Sequence, residues 1–202
     1  MMSKTSAEFW FDPLCPWAFM TSRWILEVEK VRDVSVQWNL FSLAHLNRNK
    51  EMSDDYKAKL LPSWHCTRVI AAAQKESGAG ITLPMYTAIS SRIHLKKEMV
   101  SQELLAAALS EVGLSPELAV AMNDESLDAM IIESHERGIS LVGNDVGTPI
   151  ISVNGVAFFG PVISPAPKGE EAGRLWDGVV GVASYPGFFE IKRSRNVGPI
   201  FD

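Results

Sequence analysis

The chain has 202 residues, of which 47% are hydrophobic and 21% charged, and its formal net charge is -5. This composition is typical of a globular protein with one substantial core, and the negative charge argues against nucleic acid or an anionic membrane as a partner. The N-terminal residues 1–7 lack the features of a secretory signal, and no apolar run reaches the ~18 residues of a membrane span. Two cysteines, Cys15 and Cys66, do not make a disulfide framework, so we expect a cytoplasmic protein.

The predicted elements begin with a βαβ unit. Residues 7–11 are rich in aromatic side chains and predict a buried strand, which Asp12-Pro13 ends. Apolar residues recur at helical spacing over residues 16–31, and apolar and polar residues alternate over residues 34–40. These two patterns predict a first helix and then a second strand.

A long helical block follows. Nearly everything from residue 53 to residue 137 has helical spacing of its apolar side chains. Pro62 is expected to break the first of these helices because proline has no backbone N–H to donate. Gly138 stands where a glycine that ends the last helix belongs.

Strand character then returns near the C-terminus. Residues 149–153 predict a strand, and Asn154-Gly155 predicts a tight turn into residues 156–159. A final helix is expected over residues 168–182.

This order of elements predicts an α/β protein with a thioredoxin fold and a central all-helical insertion. We expect residues 1–50 and 140–202 to form the thioredoxin-like domain, and residues 51–139 to form an inserted α-helical subdomain.

Cys15 is the first candidate for chemistry because it lies between a strand and the start of a helix, directly before Pro16. The free N–H groups and the positive dipole end at a helix N-terminus stabilise an anion. We therefore expect a partly exposed Cys15 with a thiol pKa below its usual value of about 8.5. The alternative is a buried structural cysteine.

Thr148-Pro149 is the second candidate feature, since it opens the returning strand. A proline there is either an ordinary residue at the start of a strand or the cis proline that faces the active-site cysteine in a thioredoxin fold. In the second case Thr148 offers its backbone to an extended thiol substrate.

At these residues the sequence resembles the DsbA-like superfamily, including its FrnE-type branch, and most closely the actinobacterial mycothiol-dependent nitroreductases and thiol oxidoreductases. The residues that carry the resemblance are Phe9-Trp10-Phe11-Asp12-Pro13-Leu14-Cys15-Pro16-Trp17, Thr21 to Val28, Gly147-Thr148-Pro149, Val153 to Val162, Gly169 to Gly173 and Phe201-Asp202. The resemblance implies a cytosolic enzyme, often a homodimer, with Cys15 as the catalytic residue. It also implies mycothiol or a similar small thiol as co-substrate, no tightly bound cofactor, and a small-molecule or protein disulfide as substrate.

One position departs from the family pattern. The motif is usually Cys-Pro-Trp-Cys, and Ala18 stands at the second cysteine position, after Pro16 and Trp17. Without a resolving thiol, Cys15 cannot form an intramolecular disulfide within this motif. Two explanations stay open: a natural protein with one reactive cysteine, or an engineered replacement that traps one redox state. The role of Cys66 also stays open.

Three further residues are candidates for a thiol-binding cleft, namely Asn47, Tyr56 and His94, because a helical insertion in this fold commonly overhangs the active site. The resemblance favours His94 most. The other histidines show no metal-ligand spacing, and neither a phosphate-binding loop nor a dinucleotide-binding motif occurs, so we expect no metal site.

Two other functions fit the same fold. A kappa-type thiol transferase or isomerase activates a bound thiol with a serine, whereas position 15 is a cysteine here. An adaptor or chaperone would have lost catalysis together with the second cysteine. The reactivity of Cys15 distinguishes both from an oxidoreductase.

Overall fold

The computed structural model describes residues 5–201, so residues 1–4 of the N-terminal segment 1–7 and Asp202 of the closing motif lie outside it. The predicted βαβ opening is confirmed. Strand β1 (Thr5–Phe11) leads into helix α1 (Pro16–Val31) and then strand β2 (Val34–Leu40). The two strands pair in parallel.

Five α-helices lie between β2 and the strands that return near the C-terminus. They are α2 (Leu43–Leu46), α3 (Asp54–Ser77), α4 (Thr82–His94), α5 (Gln102–Glu111) and α6 (Asp128–Ile139), with two 3-10 segments (Pro116–Asn123 and Glu125–Leu127) between the last two.

Two expected helix boundaries are wrong. Helix α3 continues through Pro62, because its second half is buried in the core and tertiary packing holds the helix together across the missing N–H. Gly138 lies inside the last turn of α6, where it allows close packing against Trp10.

The predicted hairpin and last helix are confirmed. Strands β3 (Ile150–Val153) and β4 (Val156–Phe159) pair antiparallel, and the chain ends its regular structure with α7 (Gly169–Ala183). Asn154 and Gly155 both have positive φ, as a two-residue hairpin turn that follows the strand twist requires.

The sheet has the order β2-β1-β3-β4, so β1 is central and β3 runs antiparallel to it. Phe9, Trp10 and Phe11 are fully buried because both faces of β1 are covered. Trp24 of α1 and Trp176 of α7 pack in one core cluster, whereas Phe9 and Phe11 belong to the cluster that the helical block completes. This burial fixes the C-terminal end of β1, from which the Cys15 turn departs.

Within residues 5–201, none of the helices combines the length and the apolar character needed to span a bilayer.

Candidate active site

Cys15 is the N-cap residue of α1, and Pro16 is the first residue of the helix. The Cys15 Sγ accepts a hydrogen bond from the backbone N–H of Ala18, over 3.4 Å. The backbone N–H of Cys15 donates to the carbonyl oxygen of Asp12 over 3.0 Å, which closes the turn after β1. The expected placement of Cys15 at the start of a helix is therefore what the structure shows.

The Thr148–Pro149 peptide bond lies directly across from this cysteine and is cis. The Cys15 Sγ donates to the carbonyl oxygen of Thr148 over 3.3 Å. The Thr148 hydroxyl in turn donates to the carbonyl oxygen of Trp10 over 2.7 Å, which ties this segment to β1. The fold thus brings together two motifs that are far apart in the sequence.

The expected exposure and acidity of Cys15 are wrong. Cys15 is only 7% exposed. Burial raises the pKa of its thiol to about 11, with the Asp12 carboxylate adding to the rise. The N–H groups of Ala18 and Trp17 and the charge of Arg195 lower the pKa, but they do not offset the loss of water around the sulfur. In this conformation the thiol is protonated at neutral pH.

Asp12 links the cysteine turn to the helices that follow β2. Its buried carboxylate accepts hydrogen bonds from the N–H of Leu14 over 2.8 Å, the N–H of Leu43 over 2.6 Å and the hydroxyl of Ser63. Burial raises the pKa of Asp12 to about 6 in spite of these three donors. The sequence marks Asp12 as the end of a strand and as part of the family motif, but it does not indicate these contacts, because two of the three donors lie on other elements.

His94 also contacts the cysteine turn. Its Nε2 carries a hydrogen and donates to the carbonyl oxygen of Pro13 over 2.9 Å, and the Ser90 hydroxyl donates to the same oxygen over 3.3 Å. Burial lowers the pKa of His94 to about 4, so the ring is neutral. His94 therefore lies beside the candidate site, and its Nε2 is engaged by the turn itself.

Trp17 is half-buried in the first turn of α1, and the guanidinium of Arg195 lies 5.0 Å from its ring centroid. Arg195 belongs to the C-terminal segment that follows α7, and sequence reasoning missed it because that segment has no periodic pattern. Ala18 is fully buried.

Asn47 and Tyr56 are not joined to Cys15 by any hydrogen bond or ring contact within residues 5–201. The side-chain amide of Asn47 donates to the carbonyl oxygen of Leu43 over 2.8 Å, at the end of α2. Tyr56 is 49% exposed in the first turn of α3.

In the described part of the chain, one group of side chains has the residue types of a metal site. The spacing of the histidines along the sequence did not predict this group. His45, His135 and Glu136 each offer a ligand atom within 4.8 Å of the others. These atoms already have partners, however. His135 Nδ1 accepts the N–H of Ser42 over 3.3 Å, and His45 Nε2 lies 3.0 Å from a carboxylate oxygen of Glu136.

Cys66 is fully buried on α3, and burial raises the pKa of its thiol well above the ordinary value. No disulfide joins it to Cys15.

The sheet order and the cysteine opposite a cis proline define a class of fold, the DsbA-like thioredoxin fold. A solved structure of the cytosolic disulfide reductase DsbM from Pseudomonas aeruginosa with GSH is 17% identical, aligns over 87% of this chain and 99% of its own, and gives a TM-score of 0.58. The probable DsbA oxidoreductase SCO1869 from Streptomyces coelicolor is 14% identical over 96% of this chain and 94% of its own, with a TM-score of 0.60. The expected fold, a thioredoxin fold with a central helical insertion, is confirmed.

The family is narrower than this class. The family model named Rv2466c-like, described as mycothiol-dependent nitroreductase Rv2466c, matches residues 14–193, and the chain belongs to that family. It is therefore an enzyme of the thiol-oxidoreductase type, as expected. A curated relative, the uncharacterized protein Rv2286c of Mycobacterium tuberculosis (strain ATCC 25618 / H37Rv), is 28% identical over 194 residues, which cover 95% of this chain and 83% of the relative.

Proposed function

We propose that this enzyme performs thiol–disulfide exchange through a single reactive cysteine, Cys15, with mycothiol as the small-thiol co-substrate. One observation carries the proposal: the Cys15 sulfur lies between the Ala18 N–H and the Thr148 carbonyl, beside the cis Pro149. An N–H aimed at sulfur stabilises a thiolate, and the Thr148 carbonyl, once the Cys15 S–H no longer donates to it, is a backbone acceptor for an extended thiol substrate beside the cysteine.

The exchange has two steps. The Cys15 thiol first loses its proton to solvent, and the thiolate attacks one sulfur of a substrate disulfide, which gives a mixed disulfide on Cys15 and releases the other half as a thiolate. The thiolate of mycothiol then attacks the substrate sulfur of that mixed disulfide and releases the Cys15 thiolate. Because Ala18 carries no thiol, the second thiol comes from outside the motif.

The burial of Cys15 sets a condition on this mechanism. A thiol with a pKa of about 11 has a very small thiolate fraction at neutral pH. The reacting conformation therefore exposes the sulfur to water more than the described one does, which lowers the pKa toward its usual range.

We also propose that Asn47, Tyr56 and His94 contact the bound thiol in that more open conformation. Pro16, Trp17, Ala18, Thr148 and Pro149 are the proposed supporting residues. Cytoplasmic location, a homodimer and a division into residues 1–50 with 140–202 and residues 51–139 belong to the same proposal.

Reduction of nitro compounds needs several electrons. We expect this activity to be weak with Ala18 in place of a second cysteine, unless external thiol takes its part. An assay with mycothiol and a nitroaromatic measures it, and full turnover would contradict the expectation.

The exchange is tested by intact-mass measurement after incubation with mycothiol disulfide at neutral pH. The parent chain should gain one mycothiol mass, and excess mycothiol should remove it. Cys66→Ala is the matched control and should gain the same mass, whereas Cys15→Ser should gain none. A parent chain that stays unmodified under these conditions overturns the proposal.

A second function, a kappa-type thiol transferase, is favoured by the protonated state of Cys15. A neutral S–H at the start of α1 can donate to a bound thiolate, as the serine of that class does. Mycothiol binding without a covalent adduct in the same experiment would support it.

A further inference from the structure

The C-terminal segment of residues 184–201 has no helix or strand but is attached to the body of the protein near its end. The Ser164 hydroxyl donates to the carbonyl oxygen of Gly198 over 3.2 Å and accepts the N–H of Ile200 over 2.8 Å. The ring of Phe201 stacks on His94, with centroids 5.7 Å apart and an interplanar angle of 15°. The stack on His94 brings the end of the segment beside the cysteine turn, because His94 donates to the carbonyl oxygen of Pro13.

Arg195 lies just before these attachment points. Its guanidinium sits 5.0 Å from the ring centroid of Trp17, which is two residues after Cys15. Arginine suits this position because its planar group stacks on an aromatic face and stays charged at all working pH values.

The charges around Cys15 are otherwise unfavourable to a thiolate. The Asp12 carboxylate, at the turn, repels a negative sulfur, and His94 of α4 is neutral. Tyr86, also on α4, is protonated because burial raises its pKa. The charge of the neighbouring Arg23 acts on this phenol. The charge of Arg195, by contrast, favours the ionised form of Cys15.

We propose that the C-terminal segment supplies Arg195 to the active site as a positioning residue that holds the Cys15 thiolate, with the Trp17 ring as the surface that orients the guanidinium. This inference rests on the proposed function of Cys15. The negative charge returns to the Cys15 sulfur when mycothiol attacks the mixed disulfide, so Arg195 assists the second step as well as the first.

The test compares Arg195→Gln with Arg193→Gln in a Cys66→Ala background. Arg193 is the matched control, since it is exposed on the same segment and its replacement removes the same charge. The rate of Cys15 alkylation by iodoacetamide is measured across pH. A change in access alters the plateau rate at high pH, whereas a change in charge moves the midpoint of the profile.

We expect Arg195→Gln to move the midpoint upward and to slow alkylation at pH 8 by about three- to fivefold at low salt, because the variant removes a positive charge that favours the thiolate. Arg195→Lys should recover part of the rate, and the effect should shrink in 1 M salt. Arg193→Gln should stay within about twofold of the parent, because the cation that lies on the Trp17 ring is Arg195, although both arginines are exposed.

The inference is overturned if Arg195→Gln and Arg193→Gln give the same profile, if only the plateau changes, or if Arg195→Lys is as slow as the glutamine variant. If one of these results is obtained and Cys15 of the parent protein still forms a mycothiol adduct, only the role of Arg195 is overturned and the proposed function stands. A parent protein with no adduct overturns the proposed function instead.

Discussion

Ala18 determines what Cys15 can do after its first reaction. The two residues are one helical turn apart, and the Ala18 N–H already points at the Cys15 sulfur. Side chains at this spacing lie on one face of a helix, within the Cα separation that a disulfide bridges. The alanine therefore leaves the geometry of a two-cysteine motif in place and removes only its second sulfur.

Replacing Ala18 with cysteine should restore an intramolecular disulfide. After mild oxidation, the Ala18→Cys protein should lose two free thiols and two mass units, because the sulfur at position 18 lies close enough to Cys15 to form a disulfide. Mass measurement with thiol counting checks this, and Ala121→Cys, in the 3-10 segment Pro116–Asn123, serves as the control. An Ala18→Cys protein that keeps its thiols would show that the first turn of α1 is arranged differently.

At the scale of the elements, the site depends on how helices close in on the end of β1. Helix α3 contributes Ser63 to the Asp12 carboxylate, and α4 contributes two donors to the Pro13 carbonyl. Helix α6 packs on the other side of the strand, where the Trp10 indole N–H donates to the carbonyl oxygen of Ser134 over 2.9 Å. Gly138 permits this approach, because a Cβ there would lie 2.7 Å from the Trp10 ring.

Gly138→Ala should therefore destabilise the protein by about 1–3 kcal/mol, as overpacking against a fixed ring does. Trp10 is fully buried and hydrogen-bonded, so it cannot move aside. Gly178→Ala in α7 is the matched control, since a Cβ there meets nothing within 4 Å, and it should stabilise by about 0.5–1 kcal/mol. Urea unfolding measures both, and equal midpoints would argue against the close α6–β1 contact.

Over the whole molecule, the buried histidines and the buried Asp12 have opposite effects on how the free energy of unfolding depends on pH. Burial lowers the pKa of His94 and of His135 to about 4, so both are neutral in the folded protein. Their contribution to stability is present above the unfolded value of about 6.5 and is lost as pH falls toward 4. Asp12 acts in the other sense, because its raised pKa makes its contribution largest at low pH and removes it as pH rises through about 6.

The stability lost by protonating two buried histidines exceeds the stability gained by protonating one carboxyl group. The urea concentration at the unfolding midpoint should therefore decrease when the pH is lowered from 7 to 5. His94→Gln keeps an N–H donor for the Pro13 carbonyl but does not titrate, and its midpoint should fall less over the same interval. Equal pH dependence in the two proteins would show that His94 is not buried in its neutral form.

Local sequence patterns were enough to predict the βαβ opening, the hairpin at Asn154-Gly155 and the position of Cys15 at the start of α1. These features follow from local patterns, namely strand and helix periodicity, turn chemistry and a Cys-Pro pair before an amphipathic run. The family resemblance rested on the same continuous motifs, and the family match confirms it.

The protonation state and the burial of Cys15 depend on packing between elements, which local patterns do not reveal. Its burial, the three donors on Asp12, the attachment of His94 to the Pro13 carbonyl and the placing of Arg195 on Trp17 all join residues from different elements. A pKa depends on how much water and which charges surround a group in the folded protein. For this reason the helix N-terminus predicted a lowered pKa for Cys15, whereas the packing around it raises that pKa.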